Sequence, residues 1–235
     1  MDLEFYFSAS DMDAINTAPG QKKCSEDILK TLDYGPEISL HAPFMDLSPG
    51  AVDEKIRAIT MERFEQALDL CGQLGAKTVV FHSGYEKWKF SLRVDIWLER
   101  SVLTWEPLIK KAQKTGIRIA VENIFEDSPD NLIALFERFS GCAHFGLCFD
   151  TGHFNLFSKV PIESWIVPLK KNIIELHLHD NDGSMDAHRP IGDGTFPFAK
   201  FFDEFSLKDK EDIVFTLEAH NKEDVFKSLK RLKEF

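Results

Sequence analysis

The segment Ile173–Asp180 reads IIELHLHD and carries the pattern that decides the fold, an apolar run with histidines near its carboxyl end. Five other segments are apolar and end on a side chain that can bind a metal: ISLH at Ile38–His41, TVVFH at Thr78–His82, IAVE at Ile119–Glu122, LCFD at Leu147–Asp150 and VFTLE at Val214–Glu218. Short apolar runs between loops are typical of buried parallel strands. Polar residues at the carboxyl ends of such strands are where a (β/α) barrel gathers its chemistry, so we expect a barrel with a metal site.

Strand-like and helix-like segments alternate along the whole chain, which predicts an α/β fold with crossover helices. The predicted strands are Leu3–Phe7, Glu37–His41, Thr78–His82, Arg118–Glu122, Gly146–Asp150, Ile173–His179 and Ile213–Glu218. The predicted helices are Ser25–Asp33, Asp53–Leu74, Leu92–Thr115, Pro129–Phe139, Ile162–Leu169, Phe198–Phe205 and Lys222–Lys233. These elements predict a single TIM (β/α) barrel domain over residues 1–235.

Only seven strands can be recognised, whereas a closed barrel has eight and about 250 residues. Either the eighth strand lies in the irregular segment Ser8–Cys24, or one βα unit is missing and the barrel is open at one edge. An open edge must be covered by a loop, a helix or a partner subunit, which makes a homodimer an expectation.

Two helices carry clear apolar patterns. In the segment Asp53–Leu74 one stripe has helical spacing, and Gly75 follows as a predicted cap; the stripe consists of Ile56, Ile59, Phe64, Ala67, Leu68, Cys71 and Leu74. In the next helix Trp97 and Trp105 lie eight residues apart, and core packing is the better explanation for them than a cofactor site.

Composition narrows the class of protein. The chain of 235 residues is 43% hydrophobic and 29% charged, which is ordinary for a soluble domain. No apolar stretch approaches about 20 residues and no signal peptide is recognisable, so we expect no membrane partner. Four cysteines without a CxxC pair indicate free thiols in a cytoplasmic protein. The net charge of −11 makes nucleic acid an unlikely partner, although metal-ligand carboxylates would contribute part of that charge.

Alternation along the strands places the candidate ligands on one face. In Leu176-His177-Leu178-His179 the leucines face the helices and the histidines face inward. The same alternation turns five other residues inward: His41, His82, Glu122, Asp150 and Glu218. One such histidine alone would be a core histidine, but agreement across six strands favours a metal site.

Two further pairs extend this set. In Asp150-Thr-Gly-His153 the glycine is expected to let the chain turn so that His153 reaches back. In Asp186-Ala-His188 the two side chains lie on the same side of an extended segment, within a loop rich in Gly and Asp. A plain polar turn is the alternative for that loop.

The chain resembles the xylose isomerase-like TIM barrels, which include sugar isomerases and epimerases and endonuclease IV. The resemblance runs from Glu37 to the carboxyl terminus, and its motifs are HAPFMDLSPG, VVFHSG, AVEN, CFDTGH, ELHLHDN, DAHRPIGDG and TLEAH.

The isomerases and epimerases of this superfamily hold one metal, and their ligands match Glu122, Asp150, His177 and Glu218. In that mechanism the metal holds two sugar oxygens, and the two glutamates move a proton between adjacent carbons through an enediolate. The resemblance therefore implies Glu122 and Glu218 as catalytic residues, with His188 as a third candidate. It implies His179 and Arg189, besides His188, as residues that orient substrate hydroxyls or a phosphate.

Endonuclease IV uses nine ligands for three zinc ions, and all nine have a counterpart here. They are His41, His82, Glu122, Asp150, His153, His177, Asp186, His188 and Glu218. Against this reading, the segment Ser8–Gly20 and the PFMDLSPG segment carry no Lys or Arg for DNA. We therefore expect a metal-dependent isomerase or epimerase of a small sugar or sugar phosphate. The alternatives are a trinuclear-zinc phosphoester hydrolase and a non-catalytic barrel. The histidines favour zinc, up to three ions, whereas manganese or magnesium would suit the carboxylates.

Overall fold

The computed structural model describes residues 3–205 and 212–235. The chain divides into two compact units. The first comprises Met1–Val121 and Arg138–Gly146, and the second comprises Glu122–Glu137 and Leu147–Phe235.

The first unit alternates strands with helices. Its strands are β1 (Leu3–Tyr6), β2 (Ile38–His41), β3 (Thr78–His82) and β4 (Arg118–Glu122, whose last residue belongs to the second unit). Its helices are α1 (Ala9–Ala14), α2 (Ala18–Thr31), α3 (Glu54–Leu74) and α4 (Val94–Thr115). The strands are neighbours in chain order, and β2 pairs in parallel with both β1 and β3. The predicted ranges of β3 and β4 are confirmed to the residue.

The two long helices begin and end where local chemistry predicts. The Asp53 side chain accepts hydrogen bonds from the backbone N–H groups of Lys55 and Ile56 and so caps α3. Gly75 and Gly116 end α3 and α4 with φ of 68° and 75°, a conformation that glycine adopts without steric cost.

The buried face of α3 agrees with the predicted stripe from Phe64 onward. The prediction is wrong for Ile56 and Ile59, which are 46% and 54% exposed. In the early turns of α3 the buried position belongs to Thr60, whose hydroxyl accepts from Ser48 N at 3.0 Å and donates to Ile56 O at 2.9 Å. The buried residue at this point of α3 is therefore a hydrogen-bonded threonine and not a predicted isoleucine.

Core packing explains both tryptophans of α4, as predicted. Trp97 and Trp105 are fully buried. The Trp105 ring stacks on Phe64 with centroids 5.4 Å apart and meets Phe81 of β3 edge-on at 5.8 Å. This aromatic contact fixes α3 and α4 against the outward face of β3.

The segment Ser8–Cys24 holds α1 and the start of α2, so the alternative that an eighth strand lies there is wrong. Ser8 and Asp11 form a capping box that starts α1, and Thr17 caps α2 by accepting from Gly20 N. The segment looked irregular in the sequence because it lacks a long apolar stripe. Its helices are marked by their capping side chains instead. Within residues 3–205 and 212–235 the chain has seven strands.

The second unit holds the remaining elements. They are α5 (Asp130–Arg138), β5 (Phe145–Asp150), α6 (Thr151–Phe157), α7 (Ile162–Leu169), a 3-10 turn at Lys170–Asn172, β6 (Ile173–Leu178), α8 (Phe198–Phe205), β7 (Val214–Leu217) and α9 (Lys222–Leu232). The first two residues of β5 and the last of α5 belong to the first unit. Strand β6 pairs in parallel with β5 and β7, and its register sets Asp150 beside His177 and His177 beside Thr216.

Helix α6 was not predicted, because only seven residues follow Asp150 before Ser158 ends the helix. The face of β5 that carries Phe149 packs on aromatic residues of α7 and α8. Phe149 stacks on Phe201 of α8 with centroids 5.4 Å apart and meets Trp165 of α7 edge-on at 6.0 Å. Since strand neighbours point to opposite faces, this contact turns Asp150 to the inner face.

None of the helices in the described residues is long and apolar enough to cross a membrane. All four cysteines are free thiols, and Cys71 and Cys148 are buried.

Candidate metal centre

The carboxyl ends of the strands in the second unit bring together four predicted ligands, here called the strand-end group: Glu122, Asp150, His177 and Glu218. Glu122, Asp150 and His177 are at most 1% exposed, and they offer ligand atoms that all lie within 4.8 Å of one another. His177 Nδ1 lies 3.2 Å from Glu122 Oε1, 3.1 Å from Glu218 Oε1 and 3.8 Å from Asp150 Oδ2. One imidazole nitrogen is thus the meeting point of three carboxylates.

Asp150 is held from several sides. Its Oδ1 accepts from His153 N at 2.6 Å and so caps α6. Asn123 bonds the Asp150 backbone twice, accepting from Asp150 N at 2.9 Å and donating to Asp150 O at 3.0 Å. The Thr151 hydroxyl reaches the backbone oxygens of His177 and His179 at 3.1 and 2.7 Å. These bonds tie the ends of β4, β5 and β6 together within the second unit.

His179 lies next to the strand-end group. Its Nε2 is 3.0 Å from Asp150 Oδ2 and 3.4 Å from Glu218 Oε2. The ring occupies the space beside Gly152, where an added Cβ would come within 2.0 Å of His179 Cε1. The glycine therefore serves to admit His179. The expectation that it turns the chain for His153 is wrong, since Gly152 lies inside α6 without a positive φ.

Asp186 and His188, here called the loop group, stand beside His153 and His179. Asp186 Oδ2 lies 3.2 Å from His188 Nε2 and 3.4 Å from His153 Nε2. The His188 ring stacks on His179 with centroids 4.1 Å apart, and its Nδ1 is 3.8 Å from Glu218 Oε2. His188 has a φ of 45°, a conformation that non-glycine residues adopt only when their surroundings impose it.

Asp180 holds the loop that carries this group. Its carboxylate is buried and accepts from the backbone N–H groups of Gly192, Gly194 and Phe196 at 2.9–3.0 Å. Its backbone forms an antiparallel bridge with Arg189. Sequence reasoning missed Asp180, Asn123 and Thr151, although each stands next to a predicted ligand or inside the motif that contains one.

Arg189, the other predicted substrate-binding residue, bonds Asp182 Oδ2 through its Nη2 at 2.7 Å. The Arg189 guanidinium is half-exposed in this ion pair. His220, which was not predicted, stacks on the outer side of His188 with centroids 4.9 Å apart.

His41 and His82, the two remaining predicted ligands, belong to the first unit. Their rings meet edge-on with centroids 5.1 Å apart. Phe44 stacks on His82 at 4.1 Å, and His41 Nδ1 lies 2.9 Å from Ala42 O. The structure thus places these two histidines side by side, at the ends of neighbouring strands.

Charge balance in the second unit shifts several pKa values in the directions expected of paired groups. Burial alone would lower the pKa of His153, but Asp150, Asp186 and Glu122 outweigh it and raise that pKa well above its usual value. Burial also opposes the raised pKa of His179, which Asp150 causes. The pKa values of Asp150, Asp186 and Glu218 are lowered against the effect of burial by the neighbouring histidines.

The donor set fits a divalent metal. Imidazole nitrogens and carboxylate oxygens are the ligands of zinc, and carboxylates also suit manganese and magnesium. Three overlapping groups in the second unit satisfy a 4.8 Å spacing: Glu122 with Asp150 and His177, Asp150 with His153 and His179, and His179 with His188 and Glu218.

The chain belongs to the xylose isomerase-like TIM barrel family, whose model matches residues 4–235. It therefore has the α/β TIM barrel fold, with seven strands in the described residues. An uncharacterized protein of Methanocaldococcus jannaschii is 32% identical over 212 residues, which are 86% of this chain and 71% of that protein.

Two solved structures are similar over nearly the whole chain. A D-tagatose 3-epimerase-like protein has a TM-score of 0.81 and 28% identity, and the match covers 98% of this chain and 86% of that one. The TTHB071 protein of Thermus thermophilus, from a crystal soaked with ZnCl2, has a TM-score of 0.75 and 25% identity with the same coverage. A solved L-ribulose 3-epimerase shares the fold, with a TM-score of 0.69 and 19% identity over 98% of this chain and 76% of that one.

Proposed function

We propose that this protein is a divalent-metal-dependent isomerase or epimerase of a small sugar or sugar phosphate, acting in the cytoplasm as a single barrel domain. The observation that carries the proposal is the convergence of two glutamates on His177 Nδ1, with Glu122 Oε1 at 3.2 Å and Glu218 Oε1 at 3.1 Å. The similarity to a D-tagatose 3-epimerase-like protein supports it.

The strand-end group would hold the metal through Glu122, Asp150, His177 and Glu218. A bound divalent cation would polarise the substrate carbonyl and so acidify the neighbouring C–H group. Zinc suits this mixed set of nitrogen and oxygen donors, and manganese is the second choice.

Proton transfer falls to the two glutamates. One carboxylate takes the proton from carbon, and the other returns a proton to the same or the adjacent carbon. Glu218 is suited to the role of base, because His177 holds its pKa down and keeps it ionised despite burial. Glu122 also contacts His153 at 3.3 Å, and this imidazole can supply or accept a proton during turnover.

Substrate orientation falls to His179 and His188, whose stacked rings border Glu218. We assign His188 a catalytic role as a donor to a substrate oxygen, since the loop holds it in a φ of 45°. Arg189 would bind a substrate phosphate by exchanging Asp182 for it.

The test is hydrogen exchange at carbon. Protein purified without chelators would be analysed for metal and then incubated with ketoses and their phosphates in D2O, with deuterium incorporation followed by NMR. We expect about one metal per chain and incorporation at a carbon next to the carbonyl, because the base exchanges its proton with solvent. Glu218→Gln should abolish incorporation, whereas Glu163→Gln, a surface carboxylate paired with Lys200, should not. Metal-loaded protein that exchanges no proton in any ketose would contradict the proposal.

A trinuclear-zinc phosphoester hydrolase is the second candidate. It is favoured by the loop group, because Asp186 Oδ2 lies 3.2 Å from His188 Nε2 and 3.4 Å from His153 Nε2, beside the strand-end group. Two to three zinc ions per chain together with cleavage of abasic duplex DNA would establish this function in place of the first.

A further inference from the structure

We infer that Glu175 is a positioning residue that holds the His177 imidazole in the orientation its metal-binding nitrogen needs. The inference rests on the metal site of the proposed function. Glu175 is fully buried in β6, two residues before His177, and so faces the same side of the strand.

The contacts separate the two ring nitrogens of His177. Nδ1 faces the carboxylates of the strand-end group at 3.1–3.8 Å. Nε2 faces Glu175, with Oε1 at 3.9 Å. A histidine that gives one nitrogen to a metal commonly offers its other N–H to a carboxylate, which fixes the tautomer and the ring angle.

Glu175 is itself held in place by the neighbouring strand. Thr216 of β7 donates its hydroxyl to Glu175 Oε1 at 3.1 Å. The β6–β7 register sets Thr216 beside His177, and the β5–β6 register sets Cys148 beside Glu175. These side chains form a layer beneath the strand-end group. A buried carboxylate is costly unless it is paired, and the His177 ring lies 3.9 Å from this one.

Cys148 is the competing partner, since its thiol makes a hydrogen bond to His177. A neutral thiol is a weak hydrogen-bonding group, whereas a carboxylate is a strong acceptor for an imidazole N–H. Glu175 is therefore the residue assigned to Nε2.

The experiment titrates metal-free protein with Co²⁺ in competition with a chromophoric chelator. Glu175→Ala should bind Co²⁺ about 10–100-fold more weakly than the wild type, and Glu175→Gln should lie between them because it keeps an acceptor oxygen. Glu126→Gln is the matched control. It alters another buried carboxylate, bonded to Ile124 N and Asn131 Nδ2, and should lower the melting temperature without changing Co²⁺ affinity.

A spectroscopic signature separates positioning from general damage. In the Co²⁺ complex the proton on His177 Nε2 should give a paramagnetically shifted NMR signal that exchanges slowly with water, and Glu175→Ala should broaden or remove it. Unchanged Co²⁺ affinity and an unchanged signal in Glu175→Ala would overturn the role of Glu175 and leave the proposed function standing. A Cys148→Ala variant that loses the signal while Glu175→Ala keeps it would overturn it as well. A wild-type protein that binds no Co²⁺ would overturn the metal site, and the proposed function with it.

Discussion

The strand-end group and the loop group use the same kinds of side chain but are built differently. Asp150 and His177 of the strand-end group are fully buried, and paired strands fix their positions. Asp186 and His188 of the loop group keep 35% and 23% of their side-chain surface exposed. Their position depends on one buried aspartate, Asp180, that collects the N–H groups of the loop.

This difference indicates which part of the site suits the common chemistry of the fold and which part suits substrate specificity. Side chains on strands are held more precisely than side chains on loops, so the strand-end group suits metal binding and proton transfer. The loop group suits differences in substrate or in the number of metal ions between related barrels, because loops accept sequence changes without loss of the core.

The largest effect should come from the middle of the strand-end group. Asp150→Ala removes the carboxylate that pairs with His153 and His179 and also the cap of α6. We expect loss of metal binding and a destabilisation of metal-free protein of about 3 kcal/mol or more, since a broken buried pair leaves charge uncompensated. Chemical denaturation measures it. Asp150→Asn keeps the cap and should recover about 1 kcal/mol.

Asp193→Ala is the matched control in the loop. Asp193 pairs with Lys227 and Arg231 near the surface, so its loss should cost about 1 kcal/mol or less. Equal losses for Asp150→Ala and Asp193→Ala would show that the two regions do not differ in the way their burial indicates.

A smaller effect should follow when a methyl group is added beside His179. In Gly152→Ala the new Cβ would lie 2.0 Å from His179 Cε1, so the ring must move away from Asp150. We expect a destabilisation of about 1–3 kcal/mol from this overpacking, measured by chemical denaturation. Gly72→Ala, inside α3, is the control. Its Cβ would meet only Ile117 Cδ1, at 3.8 Å. It should be neutral or stabilising by up to about 1 kcal/mol.

The stability of metal-free protein should fall on both sides of a mildly acidic optimum. His153 and His179 have raised pKa values, so the stability they contribute is present below about pH 6.5 and is lost as pH rises through their folded-state values. Asp150, Asp186 and Glu218 have lowered values, so their contribution is present above about pH 4 and is lost as pH falls further.

Metal should reverse the alkaline half of this profile. Binding requires neutral histidines, so affinity rises with pH and the metal replaces the lost protons. Melting temperatures from about pH 3 to about pH 9, with EDTA and with zinc, check both halves. A metal-free protein whose melting temperature rises steadily from pH 6 to pH 8 would show that the carboxylates do not hold His153 and His179 in their charged form.

The same contrast explains what could be predicted from the sequence. The ranges of β3 and β4 were confirmed to the residue, because an apolar run that ends on a polar side chain marks the end of a buried strand. The family and the fold were also confirmed. The failures have local causes: capping side chains made Ser8–Cys24 helical, and Thr60 took a buried position from isoleucine.

The supporting residues of the site were harder to find. Glu175 alternates with His177 and His179 in the segment Ile173–Asp180, but a lone glutamate in an apolar strand gives no sign of what it contacts. Asp180 and Gly152 act through distances between segments that are far apart in sequence, to Gly194 N and to the His179 ring. Periodicity cannot supply such distances. The metal ligands themselves stay predictions that the metal titrations test.

The smallest effect should come from Arg189, at the edge of the loop group. Its ion pair with Asp182 is half-exposed, so Arg189→Gln should change the free energy of unfolding by no more than about 0.5 kcal/mol. The kinetic result is more informative, because a guanidinium that leaves Asp182 to bind a phosphate would contribute to substrate binding alone. With a phosphorylated ketose Arg189→Gln should raise KM about tenfold and leave kcat unchanged, and with the free sugar it should change neither. Equal kinetics on both substrates would mean that Arg189 only braces the loop, and that the substrate is recognised through the strand-end group and the stacked histidines.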